Sequence, residues 1–208
     1  MDAPVKKPTP TLVVFCGRSG TGKTTLAEKI TKLFAKEGAR PVISTTTRHK
    51  RPNEIEGDEY EFISEDEFWG RQRLGQFAWF VEIDTPQGKI YHATEHKRLD
   101  DACRSGISIL VLTPDRLAPF VDEVHKRNTE VNTLFFWIQV EDENILLKRL
   151  TERDGEEKAL SRLAFDKNWP AEIQNSGVPY VPIDGTRNPD DNAQLLASLI
   201  ELIYYNLI

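Results

Sequence analysis

Cysteine is nearly absent from this chain of 208 residues: Cys16 and Cys103 are its only two. Two thiols make neither a disulfide framework nor a metal-ligand spacing. Cys16 ends an apolar run and reads as buried packing rather than as a nucleophile. Histidine is scarce as well, and the four present have no metal-binding spacing; for His49 and His92 two readings stand, lining a pocket or, the first choice, solvated side chains. No apolar run is long enough to span a bilayer, and the opening Met1-Asp2-Ala3-Pro4-Val5-Lys6-Lys7-Pro8 lacks the apolar core of a signal peptide. The expectation is a cytoplasmic protein with no membrane partner and with residues 1–10 as a flexible tail. Positive charge is not in excess either. Lys plus Arg number 27 against 33 Asp plus Glu, a formal net charge of −6. That balance argues against a nucleic-acid partner, while local arginines can still build a positive pocket. Internal repeats are missing, as are low-complexity segments beyond the tail. What remains is a length suited to one α/β domain with a sizeable core and a smaller inserted lobe.

The most informative stretch present is Gly17-Arg18-Ser19-Gly20-Thr21-Gly22-Lys23-Thr24. It follows the apolar run Thr11 to Cys16 and leads into Thr25-Leu26-Ala27-Glu28-Lys29-Ile30. This is the G-x-x-x-x-G-K-[ST] phosphate loop between a strand and an amphipathic helix. Its glycines let successive backbone N–H groups turn inward onto phosphate oxygens, and the helix that opens there adds the positive end of its dipole. The expected ATP-binding residues are Gly17, Ser19, Gly20, Thr21, Gly22, Lys23, Thr24 and Thr25. Lys23 reaches the β- and γ-phosphates, and the Thr24 hydroxyl ligates Mg²⁺.

The remaining chain alternates between strand and helix patterns. Leu26, Ile30, Leu33 and Phe34 recur at helical spacing up to Gly38, and Pro41-Val42-Ile43-Ser44 reads as a second strand. From Thr45 to about Thr94 the texture becomes charged, aromatic and alternating. Glu59 to Ile63 is strand-like, Ser64-Glu65-Asp66-Glu67 has capping-box spacing, and the runs Phe77 to Ile83 and Lys89 to Ala93 flank the turn Thr85-Pro86-Gln87-Gly88. The core then resumes with a helix from Glu95 to Arg104 and a buried strand from Ile107 to Leu112. Pro114 and Asp115 start the next helix, and Thr133 to Val140 forms another strand. A helix from Glu143 carries Leu146, Leu147 and Leu150. The polar stretch Arg153 to Lys158 separates it from a helix holding Leu160, Leu163 and Phe165. Tyr180 to Asp184, with Pro182, suits an edge strand, and a closing helix runs from Asp191 to Ile208. Residues 11–47 and 95–208 are thus expected to form the core, with 48–94 as the inserted lobe.

After the second strand comes Ser44-Thr45-Thr46-Thr47-Arg48-His49-Lys50-Arg51-Pro52-Asn53-Glu54-Ile55-Glu56-Gly57-Asp58-Glu59-Tyr60. Arg48 and Arg51 are fixed-charge forks suited to a phosphate dianion, and the Tyr60 hydroxyl can join them. The pattern S-x-T-T-R-x-x-R-x-x-E-x-x-G-x-x-Y-x-F, matched from Ser44 through Phe62, resembles the guanylate kinases, a branch of the nucleoside monophosphate kinases. The resemblance covers nearly all of the chain beyond the tail. It implies a P-loop NTPase fold: a three-layer α/β core with a parallel sheet, a small α+β monophosphate-binding lobe, and a lid, here at about 153–160. It also implies that Arg48, Arg51, Tyr60 and Tyr91 hold the acceptor's phosphate, that Glu54 is a further acceptor-binding residue, and that Ser44 and Glu82 read guanine. Glu82 stands in Phe80-Val81-Glu82-Ile83, like the family's F-[IV]-E-W, and a carboxylate accepts from guanine N1–H and its 2-amino group. Arg149 and Arg153, four apart on a helix, and Arg162 resemble the lid arginines; with Lys23 and Arg48 they form the expected catalytic set.

Two departures stand out. The family's L-D-I-D at the end of the third core strand reads here Leu110-Val111-Leu112-Thr113-Pro114-Asp115, so Leu112 and Pro114 occupy the aspartate positions and Asp115 comes one residue late. His92-Ala93 replaces Gly-Ser after Tyr91. The activity implied is transfer of the γ-phosphoryl group of Mg·ATP to a nucleoside monophosphate, GMP or dGMP first, by a monomer or homodimer. Two other readings stand beside it. A related kinase acting on ribose bisphosphate or a modified nucleotide would account for the missing aspartates. A guanylate-kinase-like binding module without catalysis would be expected to lack Lys23 and Thr24, which this chain retains.

Overall fold

Sheet membership changes early in the chain. The computed structural model describes residues 8–51, 54–85 and 88–207; the tail residues 1–7 and the predicted turn residues Pro86 and Gln87 lie outside them. In chain order the elements begin with β1 (Thr11–Cys16), α1 (Lys23–Leu33), β2 (Arg40–Pro41), β3 (Ser44–Thr46), β4 (Tyr60–Phe62) and α2 (Glu65–Arg73). The hairpin β5 (Phe77–Thr85) and β6 (Gly88–Glu95) follows, then α3 (His96–Ala102), β7 (Ile107–Val111), α4 (Leu117–Arg127) and β8 (Asn132–Gln139). The chain ends with α5 (Glu143–Asp154), α6 (Glu156–Phe165), α7 (Trp169–Asn175), β9 (Val181–Asp184) and α8 (Pro189–Tyr204).

The core is a five-stranded sheet in the order β2-β7-β1-β8-β9, with every neighbouring pair parallel. β1 lies at its centre and all six of its residues are buried. A parallel strand covered on both faces needs a continuous apolar run, which Thr11 to Cys16 supplies. Leu12, Val14 and Cys16 pack with Leu99, Leu117 and Phe120 of α3 and α4 on one side. Val13 and Phe15 pack with Leu26 and Ile30 of α1 and Leu196 and Ile200 of α8 on the other. These are the three layers. Burial pushes the Cys16 thiol up to about 12, so it is inert packing.

The run Pro41 to Ser44 is not one strand. β2 pairs only with β7, and after the Val42 N–H bonds to Ile109 O the chain leaves the core. Pro41 has no amide to donate, which suits it to an edge. Ser44 then opens a second sheet, β4-β3-β6-β5, in which β3 and β4 are parallel and the other pairs antiparallel. Ser64 caps α2 by accepting from the Glu67 N–H, and α2 covers one face of this sheet through Phe68, packed with Phe77, Tyr91 and Ala93.

The polar stretch Arg153 to Lys158 is not a loop. α5 continues through Arg153 to Asp154, Gly155 alone intervenes (φ 87°), and α6 begins at Glu156. Glu156 and Glu157 suit the positive end of a helix dipole, so their polarity marks a helix start. Leu146, Leu150, Ala159 and Leu163 close a small core between α5 and α6, whereas Leu160 and Phe165 are exposed. Leu33, placed on the apolar stripe of α1 by its spacing, is exposed too. β9 is the opposite edge of the core sheet and carries Pro182. Among the described residues no helix is long and apolar enough to cross a membrane.

Candidate active site

The phosphate loop leaves the C-terminal end of β1 and closes on the first turn of α1. Gly17 passes against β8: a Cβ there would lie 2.4 Å from Ile138 O, and its φ is 155°. Gly20 and Gly22 hold φ of 82° and 100°, conformations that β-carbons disfavour. Lys23 folds back over the loop, its Nζ donating to Gly17 O at 2.6 Å and Arg18 O at 2.8 Å. Burial depresses its pKa from the ordinary 10.5 to about 8. Thr21 is buried and donates its hydroxyl to Arg18 O, while Thr24 and Thr25 are exposed along the cleft wall.

A prediction follows from Lys23. Its folded-state pKa lies below its unfolded one, so between about pH 8 and 10.4 the unfolded chain holds a proton the nucleotide-free protein has lost, and this group makes stability rise with pH there. Phosphate oxygens require the charged ammonium. ATP binding at pH 8.5 should therefore take up protons, and affinity should fall as pH rises through 8. Calorimetry in buffers of different ionisation enthalpy measures this directly; binding without proton uptake rules out Lys23 as the phosphate contact.

Across a cleft of ≈ 1350 Å³ stands a cluster of arginines. Arg48 forks onto Glu54, with Nη1–Oε2 at 2.9 Å and Nη2–Oε1 at 2.8 Å, and its guanidinium lies 5.3 Å from the Tyr60 ring centroid and 5.4 Å from that of Phe62. Glu54 also accepts from the Arg51 N–H at 2.8 Å. Burial works against its charge, but Arg48 and Arg51 hold its carboxyl below the usual range. Arg51 is itself pushed down by burial and by Arg48 and Arg153, and Arg162 by burial and by Arg51. Arg48, Arg51, Arg153 and Arg162 thus gather four guanidinium charges on one wall, and such a cluster makes an anion site. Asp154, which sequence reasoning missed, sits among them, pairing with Arg153 at 2.7 Å and Arg162 at 3.3 Å.

The helical pair Arg149 and Arg153 divides its tasks. Arg153 joins the cluster, whereas Arg149 donates to Gly20 O at 3.2 Å and to Gly185 O at 3.1 Å, bracing the phosphate loop against the segment after β9.

The hairpin places Glu82 and Tyr91, expected as acceptor contacts, outside the cleft lining. These residues are directly opposite one another in the β5–β6 register and so share a face. That face is the one covered by α2: Tyr91 is buried with ring contacts to Phe68 and Trp69, and Glu82 pairs outside with Lys89. Side chains alternate with period two, so the cleft receives Ile83, Ile90 and His92 instead, with Asp84 and Thr85 at the hairpin end. Ser44, with its N–H on Glu59 O, is not among the cleft-lining residues either. Of the two readings for His92, the cleft wall is the one observed: its ring is half-buried there. It meets the Tyr60 ring edge-on at 5.7 Å, and burial with Arg48, Arg51 and Arg162 pushes its pKa down to about 3. Its place one residue after Tyr91, at a departure from the family pattern, was the available signal.

At the end of β7, Val111 and Thr113 line the cleft in the region of the missing aspartates. Asp115 does not take over: it accepts from the Thr113 hydroxyl and pairs with Arg116 at 2.9 Å. Among the described residues no group of three or more His, Cys, Asp or Glu could hold a metal ion.

A sequence model described as guanylate kinase matches residues 9–167. The guanylate kinase of Thermotoga maritima is 27% identical over 191 residues, 91% of this chain and 85% of that one. Identity reaches 39% with that of Symbiobacterium thermophilum, over 93 residues. There the chain matches less than half the relative's length, 43%, and 42% of its own. Among solved structures, the guanylate kinase of Anaplasma phagocytophilum superposes with a TM-score of 0.60, covering 95% of this chain and 88% of that one at 18% identity, a likeness of fold.

Proposed function

This chain belongs to the guanylate kinase family, and from that premise we propose that it transfers the γ-phosphoryl group of ATP to GMP or dGMP. One observation carries the reading: a phosphate loop that retains Lys23 and Thr24 faces, across a single cleft, the cluster Arg48, Arg51, Arg153 and Arg162. Donor and acceptor phosphates both need cations, and their mutual repulsion is the main obstacle to bringing them in line. Lys23 and the amides of the loop hold the donor's phosphates. Arg48 and Arg51, aimed by Glu54, take the acceptor's phosphate with the Tyr60 hydroxyl. Arg153 and Arg162 neutralise charge on the group in transfer, while Arg149 holds the phosphate loop in place beside them. Neutral His92 lines the acceptor side without adding charge.

Mg²⁺ fits this donor set. With no described acidic cluster to bind it alone, the ion would be held by the Thr24 hydroxyl together with phosphate oxygens and water, where it supplies charge neutralisation. Water exclusion falls to the cleft walls, which suppresses hydrolysis.

Asp84 has the strand parity of Glu82 but lines the cleft at the closing end of the hairpin, where Thr85 lines it as well, and it is the proposed reader of guanine N1–H and the 2-amino group. Asp84→Asn should reduce the preference for GMP over AMP by about tenfold or more, whereas Glu82→Ala should leave that preference within about twofold of the parent, as for an exposed pair. Equal losses in both variants would return the base to Glu82. The primary experiment is ADP release from Mg·ATP with GMP, dGMP, AMP, CMP, UMP, TMP and ribose bisphosphate as acceptors. Turnover confined to GMP and dGMP is the expected result, and turnover confined to any other acceptor refutes it.

A further inference from the structure

Asp166 directly follows α6 and is fully buried. Its Oδ2 accepts from the backbone N–H of Ser19, inside the phosphate loop, and its Oδ1 accepts from Arg18 Nε at 3.0 Å. The same Arg18 reaches two further acceptors with Nη2: Glu143 Oε1 at 2.7 Å, on the first residue of α5, and Leu163 O at 3.2 Å, on α6. One arginine of the phosphate loop and one buried carboxylate therefore bind the loop to both helices that carry the catalytic arginines. The Asp166 N–H closes the last turn of α6 on Arg162 O at 3.1 Å, so Arg162 stands one turn from the contact. On the adjoining side Gly20 packs against α5, where a Cβ would lie 3.2 Å from Leu150 Cγ.

Electrostatics alone makes this an unfavourable place for a carboxylate. A buried negative charge next to a loop that receives a triphosphate repels the ligand, and Asp166 is close enough to act on Lys23 through space. Charge-assisted bonds from Arg18 and from the Ser19 amide offset that cost. We propose that Asp166, with Arg18, is a positioning residue of the donor site. It fixes the direction of the loop's amides and holds the arginine-bearing helices in register with Lys23, so that the loop, α5 and α6 act as one body.

The test exploits a difference in sign, and it rests on the proposed activity only in using ATP as the ligand. If Asp166 acted merely through its charge, Asp166→Asn would bind ATP more tightly. If it were merely structural, the melting temperature would fall with ATP affinity unchanged, as expected for the core control Leu117→Ala. The positioning role predicts ATP binding weakened by about tenfold, a reduced kcat and an unaltered KM for the acceptor. Arg18→Lys keeps the charge but cannot reach three acceptors with one planar fork, so it should weaken ATP binding in the same direction; it decides the matter if Asp166→Asn does not fold. Titration calorimetry with Mg·ATP needs no acceptor, so an inactive acceptor panel would leave this readout intact. Unchanged or tighter ATP binding in the folded variants overturns the proposal.

Discussion

Lys23→Ala is expected to lower ADP formation by about 10³-fold, near the upper range for removal of one preorganised charge partner of a transition state, and to leave the protein at least as stable. Both halves have one cause. In the nucleotide-free protein the Lys23 ammonium is packed onto the carbonyls of Gly17 and Arg18, and burial holds its pKa at about 8. A charge that must be desolvated to fold opposes folding, so its removal relieves a cost. In catalysis the same desolvated ammonium strengthens its contact with the β- and γ-phosphates. ADP release and thermal unfolding of the same preparation read out both effects. A variant that keeps a tenth or more of the parent rate would show that the phosphate loop is not where transfer happens.

Arg48→Ala is the second large effect: the KM for the acceptor should rise by about 100-fold, the order expected for losing a bidentate, partly buried phosphate contact. Arg48→Lys should recover little of it, because an ammonium cannot make the paired bonds to Glu54 at 2.8 and 2.9 Å and lie over the Tyr60 and Phe62 rings at once. Arg48→Ala should also lower the melting temperature by leaving the half-buried Glu54 carboxylate without its fork. Adding Glu54→Gln to Arg48→Ala separates the two consequences: stability should return, acceptor affinity should not. Recovery of acceptor affinity in the double variant would mean that Arg48 serves Glu54 and not the acceptor.

The phosphate loop was readable because it is local. Glycines at three positions, a lysine and a threonine between an apolar strand and an amphipathic helix require one backbone path, whatever surrounds them. The capping box at Ser64, the buried β7 and β8 and the edge strand at Pro182 were readable for the same reason. Arg48 and Arg51 stood out by residue type in a motif that resembles the family's, and their meeting with Glu54 needs no residue more than a few positions away.

Where a position depended on its parity in a strand or on a distant partner, the chain order misled or was silent. Glu82 and Tyr91 have the residue types of acceptor contacts, yet which face of β5–β6 they occupy is set by pairing against β3 and by the packing of Phe68 and Trp69 from α2. A side-chain period of two means that a shift of one residue exchanges the faces, and His92 comes in where Tyr91 was expected. Arg153 and Lys158 looked like a polar loop because helix N-termini and loops share the same acidic and polar residues.

By itself, then, the sequence determined the parallel α/β alternation, the phosphate loop and the arginine motif after the second strand, all specified by neighbours in the chain. Tertiary structure alone decided that Ile83, Ile90 and His92 face the cleft, that Asp154 gathers Arg153 and Arg162, and that Asp166 meets Arg18 and Ser19 from 148 and 147 residues away along the chain. Such contacts form only once several elements have packed, and burial, which no single segment carries in its own residues, gives them their strength.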